Sequence, residues 1–216
     1  YREQVVKPIS QRELYGLQYK RFVDRTSKLV DELSGGKIGY VHVQGMNDAS
    51  FRSVYSDALG KHADKESLLI DTRFNGGGWL HDDLATFLSG KLYATFVPRG
   101  QKIGNEPLER WYKPSAVIIG EGNYSDAHGF PFAYRALGIG KTIGMPIPGT
   151  MTAVWWERQI NPSIVFGIPQ VGVMGTDNQL QENNQFEPDI KVRNDYQSVS
   201  VGQDKQIEAA VKSLMQ

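Results

Sequence analysis

Two short apolar runs constrain this chain more than anything else in it: Ser67-Leu68-Leu69-Ile70 and Ala116-Val117-Ile118-Ile119. Each is too short for a buried helix and carries apolar side chains at successive positions. Such runs read as strands covered on both faces, the pattern of a parallel sheet between helices. Ile38 to Val43 and Lys141 to Met145 add two more strands, and Asp189 to Val192 a last one. Between them, Asn47-Asp48 caps a helix running to about Leu59, and helices follow over Leu80 to Leu88 and Asp126 to Leu137. Strand, crossover helix, strand therefore recurs, which predicts an α/β core with parallel pairing.

The remaining segments read less sharply. Residues 1–20 are polar, carry Pro8 and read as a linker. Phe22, Thr26, Leu29 and Leu33 fall at helical spacing and are closed by Gly35-Gly36. Tyr93 to Val97 reads as a strand, 98–113 as a charged loop, and 151–174 as two antiparallel strands around Asn161-Pro162. Ile207, Ala210, Val211 and Leu214 form one face of a C-terminal helix.

Charge excludes several functions. Lys+Arg and Asp+Glu balance at 24 each in 216 residues, so no basic footprint for nucleic acid or an anionic membrane exists. No apolar run is long enough to span a bilayer. There is no Cys, which removes disulfides, thiolate catalysis and Cys-based metal sites and leans toward a bacterial periplasm or envelope over the cytoplasm. The chain starts at Tyr1 with no Met and no signal-like segment, so it is expected to be part of something longer.

In sheets of this kind, chemistry collects where buried strands end in loops that open helices. The first such place is Ile70-Asp71-Thr72-Arg73-Phe74-Asn75-Gly76-Gly77-Gly78. Three glycines let backbone approach a ligand and aim N–H groups at an oxyanion, though a bare triple glycine is also a plain flexible turn. No Lys-Ser/Thr follows, so it is no nucleotide P-loop. The second is Gly120-Glu121-Gly122-Asn123-Tyr124-Ser125-Asp126-Ala127. Ser125 between a buried strand and a helix is placed as a nucleophile, with the helix N-terminus offering N–H groups to developing charge. Ser125 or Asp126 as an ordinary N-cap is the competing reading.

The two places together resemble the tail-specific (C-terminal processing) and tricorn-type serine peptidases. Those carry a strand ending Asp-x-Arg-x-Asn-x-Gly-Gly, present here as Asp71 to Gly78, and a Ser after a second apolar strand. A Gly-x-Pro-x-x-Gly turn follows as Gly144-Met145-Pro146-Ile147-Pro148-Gly149. Leu180-Gln181-Glu182-Asn183 then precedes Glu187-Pro188-Asp189-Ile190, and a Gly-x-Asp pattern stands at Gly202-Gln203-Asp204. The resemblance spans roughly residues 36–215. It implies a ClpP/crotonase-like superhelix of ββα units with a C-terminal helix, residues 1–35 being linker and helix from an upstream PDZ-like domain and 36–216 the catalytic domain.

The resemblance also implies roles. Ser125 attacks a peptide carbonyl, and the oxyanion is held by the N–H of Asp126 and of Gly77 or Gly78. The tail-specific branch activates its Ser with a Lys after the Gly-x-Pro-x-x-Gly turn. Thr150 stands there, 25 residues after Ser125, and cannot act as that base. The tricorn branch uses a His oriented by a Glu, and Glu182 matches that Glu. The His of that branch comes from an upstream cap region, outside this chain. His128 and His81 are the local alternative bases, each equally a cleft or helix lining residue, while His42 reads as structural and His62 as lying on a solvated helix end.

No metal or cofactor is expected. The expected partners are a peptide or unfolded polypeptide bound in extended form, the upstream cap and PDZ-like domains, and a homo-oligomeric copy; nucleic acid is not expected. Trp79, Trp155 and Trp156 line subsites or are core or partner-domain contacts. Two other functions stay open: a catalytically degenerate peptide-binding or assembly module, and a crotonase-like hydrolase.

Overall fold

In the computed structural model, which describes residues 1–216, the chain opens with α1 (Gln11–Ser34) and β1 (Ile38–His42). The helix α2 (Asp48–Ser56) runs into a wider π turn over Asp57–Lys61, followed by β2 (Ser67–Asp71) and α3 (His81–Leu88). A small hairpin of β3 (Ala94–Phe96) and β4 (Gly104–Glu106) leads to β5 (Ser115–Ile119), α4 (Asp126–Ala136) and β6 (Lys141–Gly144). A second hairpin, β7 (Ala153–Arg158) and β8 (Val165–Val171), precedes β9 (Ile190–Lys191), α5 (Tyr196–Ser200) and α6 (Lys205–Leu214).

Five strands form one sheet in the order β1-β2-β5-β6-β9, every pair parallel. The apolar runs explain why it is covered twice. Leu68, Ile70, Val117 and Ile119 face one core with Leu84, Phe87, Ala127, Phe130 and Tyr134 of α3 and α4. Leu69, Ala116 and Ile118 face another core with Val30 of α1 and Ile207, Ala210 and Val211 of α6. Alternation along each strand thus feeds helices on both faces, the expected α/β layering.

The helix α1 begins at Gln11, not after residue 20. Ser10 and Glu13 form a reciprocal capping box at its start, which satisfies donors that an apolar-stripe reading overlooks. Its first two turns are exposed, while Thr26, Val30 and Ser34 are buried. His62 is also buried rather than solvated: its Nε2 pairs with the Tyr40 carbonyl at 3.1 Å. The missing Cβ of Gly39 makes room for that ring, since a Cβ would lie 2.7 Å from His62 Cγ.

Because β2 and β5 are parallel neighbours, their C-terminal loops emerge side by side. Two buried asparagines lock those loops. Asn75 Nδ2 donates to the Val43 carbonyl at 2.8 Å, and Asn123 Nδ2 donates to Thr72 Oγ1 at 2.8 Å. The Tyr124 N–H adds a bond to the Asn75 carbonyl at 3.0 Å.

Candidate active site

Ser125 sits at the start of α4 with φ 55° and ψ −122°, a conformation that costs an L-residue roughly 1–3 kcal/mol. Its hydroxyl makes no cap hydrogen bond, so the N-cap reading does not describe it. Nor does Asp126 cap its own helix. Its carboxylate turns away and accepts the N–H groups of Leu80 at 2.5 Å and His81 at 3.1 Å.

The glycine loop lies against this turn. A Cβ on Gly77 (φ 95°) would stand 2.6 Å from the Tyr124 carbonyl oxygen and 2.8 Å from Ser125 Cβ, so no larger residue fits. A Cβ on Gly78 (φ 143°) would overlap the Met46 carbonyl. The two glycines differ as donors. The Gly77 N–H is engaged by Asn75 Oδ1 at 2.9 Å. Neither the Gly78 nor the Asp126 N–H has a protein acceptor. Two free backbone donors therefore flank the strained serine, an arrangement suited to a developing oxyanion.

A third segment, Thr150 to Thr152, connects this centre to Glu182. Thr150 Oγ1 accepts the Ser125 N–H at 3.3 Å. Glu182 Oε2 accepts the N–H groups of Met151 and Thr152, each at 2.8 Å. Desolvation pushes the Glu182 carboxyl up, but the Thr152 and Met151 bonds override it and hold it below the usual carboxylate range. Glu182 is consequently an anion fixed in place, with part of its surface open.

The two local histidines differ sharply. His128 is fully buried in α4, its ring 5.9 Å from that of Phe186, and neither ring nitrogen has a partner. Burial pushes its pKa down, against the opposing pull of the Glu182 charge. His81 is part-exposed at the start of α3 and pairs through Nδ1 with Asp126 Oδ1 at 2.5 Å. That bond holds its pKa above the ordinary imidazole value.

Under the loops, Arg73 binds Asp71 through Nε and Nη2 and reaches Asp204 at 2.8 Å and Gln206 at 3.0 Å through Nη1. Burial alone would push the Asp71 carboxyl up, but the Arg73 guanidinium holds it below the usual range. The matched Asp-x-Arg and Gly-x-Asp elements thus meet in one buried network that carries the loop floor. A cavity of about 560 Å³ opens beside it, lined by Phe22, Arg25, Arg73, Phe74, Glu121 and Asp204. Ser125 lines no part of it. The two loops that meet at Ser125 carry three large exposed side chains, Phe74, Trp79 and Tyr124.

A family model described as "Peptidase family S41" matches residues 37–192, more than half of the chain and a span that includes the glycine loop, Ser125 and Glu182. The chain belongs to peptidase family S41. Among curated proteins of that kind, it is 25% identical over 200 residues to the tricorn protease of Thermoplasma volcanium, covering 92% of this chain and 19% of that protein. It is 27% identical over 217 residues to tricorn protease homolog 1 of Streptomyces coelicolor, covering 97% and 20%. The crystal structure of the tricorn protease superposes with a TM-score of 0.80 at 26% identity, over 92% of this chain and 20% of that one. A putative peptidase from Parabacteroides merdae shares the fold at a TM-score of 0.63 and 19% identity. The chain spans about a fifth of the length of the curated tricorn relatives it matches. As an S41 domain of the tricorn-like kind it is a serine peptidase domain, and its parallel sheet with helices on both faces agrees with the α/β expectation.

Proposed function

We propose that this domain cleaves peptides or unfolded protein tails with Ser125 as nucleophile, the Gly78 and Asp126 N–H groups as oxyanion donors, and Glu182 orienting a histidine supplied from outside the chain. The observation that carries this reading is the strained Ser125, its hydroxyl uncommitted, between two backbone donors that lack acceptors. A serine in a helix-capping role would have neither feature. Gly77 then contributes by its size rather than its N–H, which Asn75 occupies.

The reaction follows from these parts. Attack by Ser125 Oγ on a peptide carbonyl moves negative charge onto the carbonyl oxygen, where two fixed N–H dipoles stabilise it without reorganising. The serine proton must pass to a base. Thr150 offers no amine, and His128 is buried with neither ring nitrogen bonded to the Ser125 hydroxyl. An incoming imidazole beside Glu182 takes the proton, and the anionic Glu182 stabilises the imidazolium that forms. The exposed Phe74, Trp79 and Tyr124 suit apolar substrate side chains.

The test is labelling by a fluorophosphonate. The full-length protein should label and Ser125→Ala should abolish it. One observation favours a second reading, a degenerate peptide-binding module: Thr150 occupies the position where the tail-specific branch has its lysine. Absence of labelling and of peptide cleavage in the full-length protein would establish that module instead.

A further inference from the structure

The Asp126 side chain does something its position does not call for. An acid in the first turn of a helix ordinarily serves that helix's own N-terminus. Here the carboxylate, 3% exposed, instead serves the start of α3, 46 residues earlier in the chain. Helix α3 needs it, since Leu80 at its N-cap has no side chain able to accept. Oδ2 takes the Leu80 and His81 N–H groups, and Oδ1 takes His81 Nδ1.

Position along the chain gives these bonds a second consequence. Gly78, whose N–H is free, lies two residues before Leu80. Asp126, whose N–H is also free, lies one residue after Ser125. The loop carrying Gly78 is glycine-rich with positive φ at Gly77 and Gly78, so it has little stiffness of its own. Asn75 fixes its entry, a backbone bridge to Met46 (Met46 N–H to the Gly77 carbonyl at 3.0 Å, Trp79 N–H to the Met46 carbonyl at 2.8 Å) holds its middle, and the Asp126 carboxylate fixes its exit.

We propose that the Asp126 carboxylate, buttressed by His81, is a positioning group that holds the two oxyanion donors at a fixed separation, so that one residue supplies one donor and locates the other. The proposal rests on the nucleophile and oxyanion reading given above. It differs from a plain helix cap in what its loss should do. Loss of a cap lowers stability and leaves turnover of the folded protein alone. Loss of a clamp displaces a donor from the transition-state oxygen while leaving ground-state binding nearly untouched, so kcat falls and KM holds. His81 Nδ1 gives the carboxylate a third bond, and its ring meets Trp79, the residue after Gly78, edge-on at 5.6 Å.

The test uses the full-length protein, peptide hydrolysis, and fluorophosphonate inactivation. Asp126→Ala should lower kcat and the inactivation rate by about 10²-fold, with KM within about 3-fold, as for loss of one oxyanion donor. Asp126→Asn keeps an oxygen for the Leu80 and His81 N–H groups and should recover to within about 10-fold of the parent. His81→Ala keeps both backbone bonds and should fall between the parent and Asp126→Ala. An Asp126→Ala protein that folds and keeps its kcat, or one whose loss Asp126→Asn does not reverse, overturns the clamp. If Ser125→Ala labels as strongly as the parent, the nucleophile reading falls. Amide exchange at Leu80 and His81 then still decides the physical clamp: unchanged protection in Asp126→Ala overturns it, and accelerated exchange restored by Asp126→Asn supports it.

Discussion

The hydroxyl of Thr150 accepts the backbone N–H of Ser125 at 3.3 Å, so the residue standing in place of a possible lysine base touches the candidate nucleophile directly. The position is therefore live in space and not only in alignment.

A lysine grafted there should gain function in this chain alone. Thr150 is part-buried, so the amine of Thr150→Lys would be partly desolvated and its pKa lowered toward use as a base. A well-placed general base contributes about 10²–10⁴-fold. Fluorophosphonate labelling of the 216-residue chain should rise at least about 10-fold over the parent, part of that range being lost to imperfect placement. An unchanged rate would mean that this position does not address the Ser125 hydroxyl.

Ser125 should carry a stability cost. Glycine adopts φ 55°, ψ −122° without a Cβ clash, so Ser125→Gly relieves strain of about 1–3 kcal/mol against roughly 0.5–1 kcal/mol of added chain entropy. The expected outcome is a net gain of about 1 kcal/mol over Ser125→Ala in denaturant unfolding, with both variants unlabelled by the probe. A Ser125→Gly protein less stable than Ser125→Ala by about 0.5–1 kcal/mol would show the conformation to be unstrained.

Arg73 should be worth more than any surface ion pair. Arg73→Ala leaves Asp71, fully buried, without its counter-charge, a loss of about 3–5 kcal/mol. The acid profile gives the sign. The folded Asp71 pKa lies below its ordinary 3.8, so its contribution is fully present above 3.8 and disappears as pH falls through the lowered value. Arg73→Ala should flatten that acid limb in unfolding measured against pH, and a limb of unchanged slope would assign it to other carboxylates.

His128 should make the domain sensitive to mild acid. Its folded pKa lies below the ordinary 6.5, so the unfolded chain binds the proton more readily and stability is lost as pH falls below 6.5. Glu182 opposes that trend and Arg135 reinforces it. Because both ring nitrogens are unpartnered, His128→Leu removes no hydrogen bond. It should be neutral to stabilising by about 1 kcal/mol near neutrality and should reduce the loss below 6.5. A variant as acid-sensitive as the parent would point to another group.

Much of this was legible because it is local. Leu68 to Ile70 and Val117 to Ile119 announce buried strands by having no polar face, and strands that end in glycine-bearing loops announce where those loops must meet. The ordered motifs from Asp71 to Asp204 identified the family without any geometry. What escaped was non-local. Which of Gly77 and Gly78 keeps a free N–H depends on the Asn75 side chain two residues away in sequence but folded back by Val43. The Asp126 carboxylate looked like a cap for its own helix because nothing in the sequence names Leu80 as its partner. His62 looked solvated because the space that buries it is an absent side chain on another strand. The early start of α1 was missed because its first turns carry no apolar stripe, and only the Ser10–Glu13 pair marked them.

The Arg73 network has a bearing on when this domain becomes a peptidase. Two acceptors of its guanidinium, Asp204 and Gln206, are made 131 and 133 residues after Arg73 itself. Ser125 and the glycine loop leave the ribosome long before them, and Glu182 also follows late. Over the 79 residues from Ser125 to Asp204 a nascent chain therefore carries the candidate nucleophile above an unfinished floor. The floor beneath the candidate site is closed only once the last helix, α6, has been made.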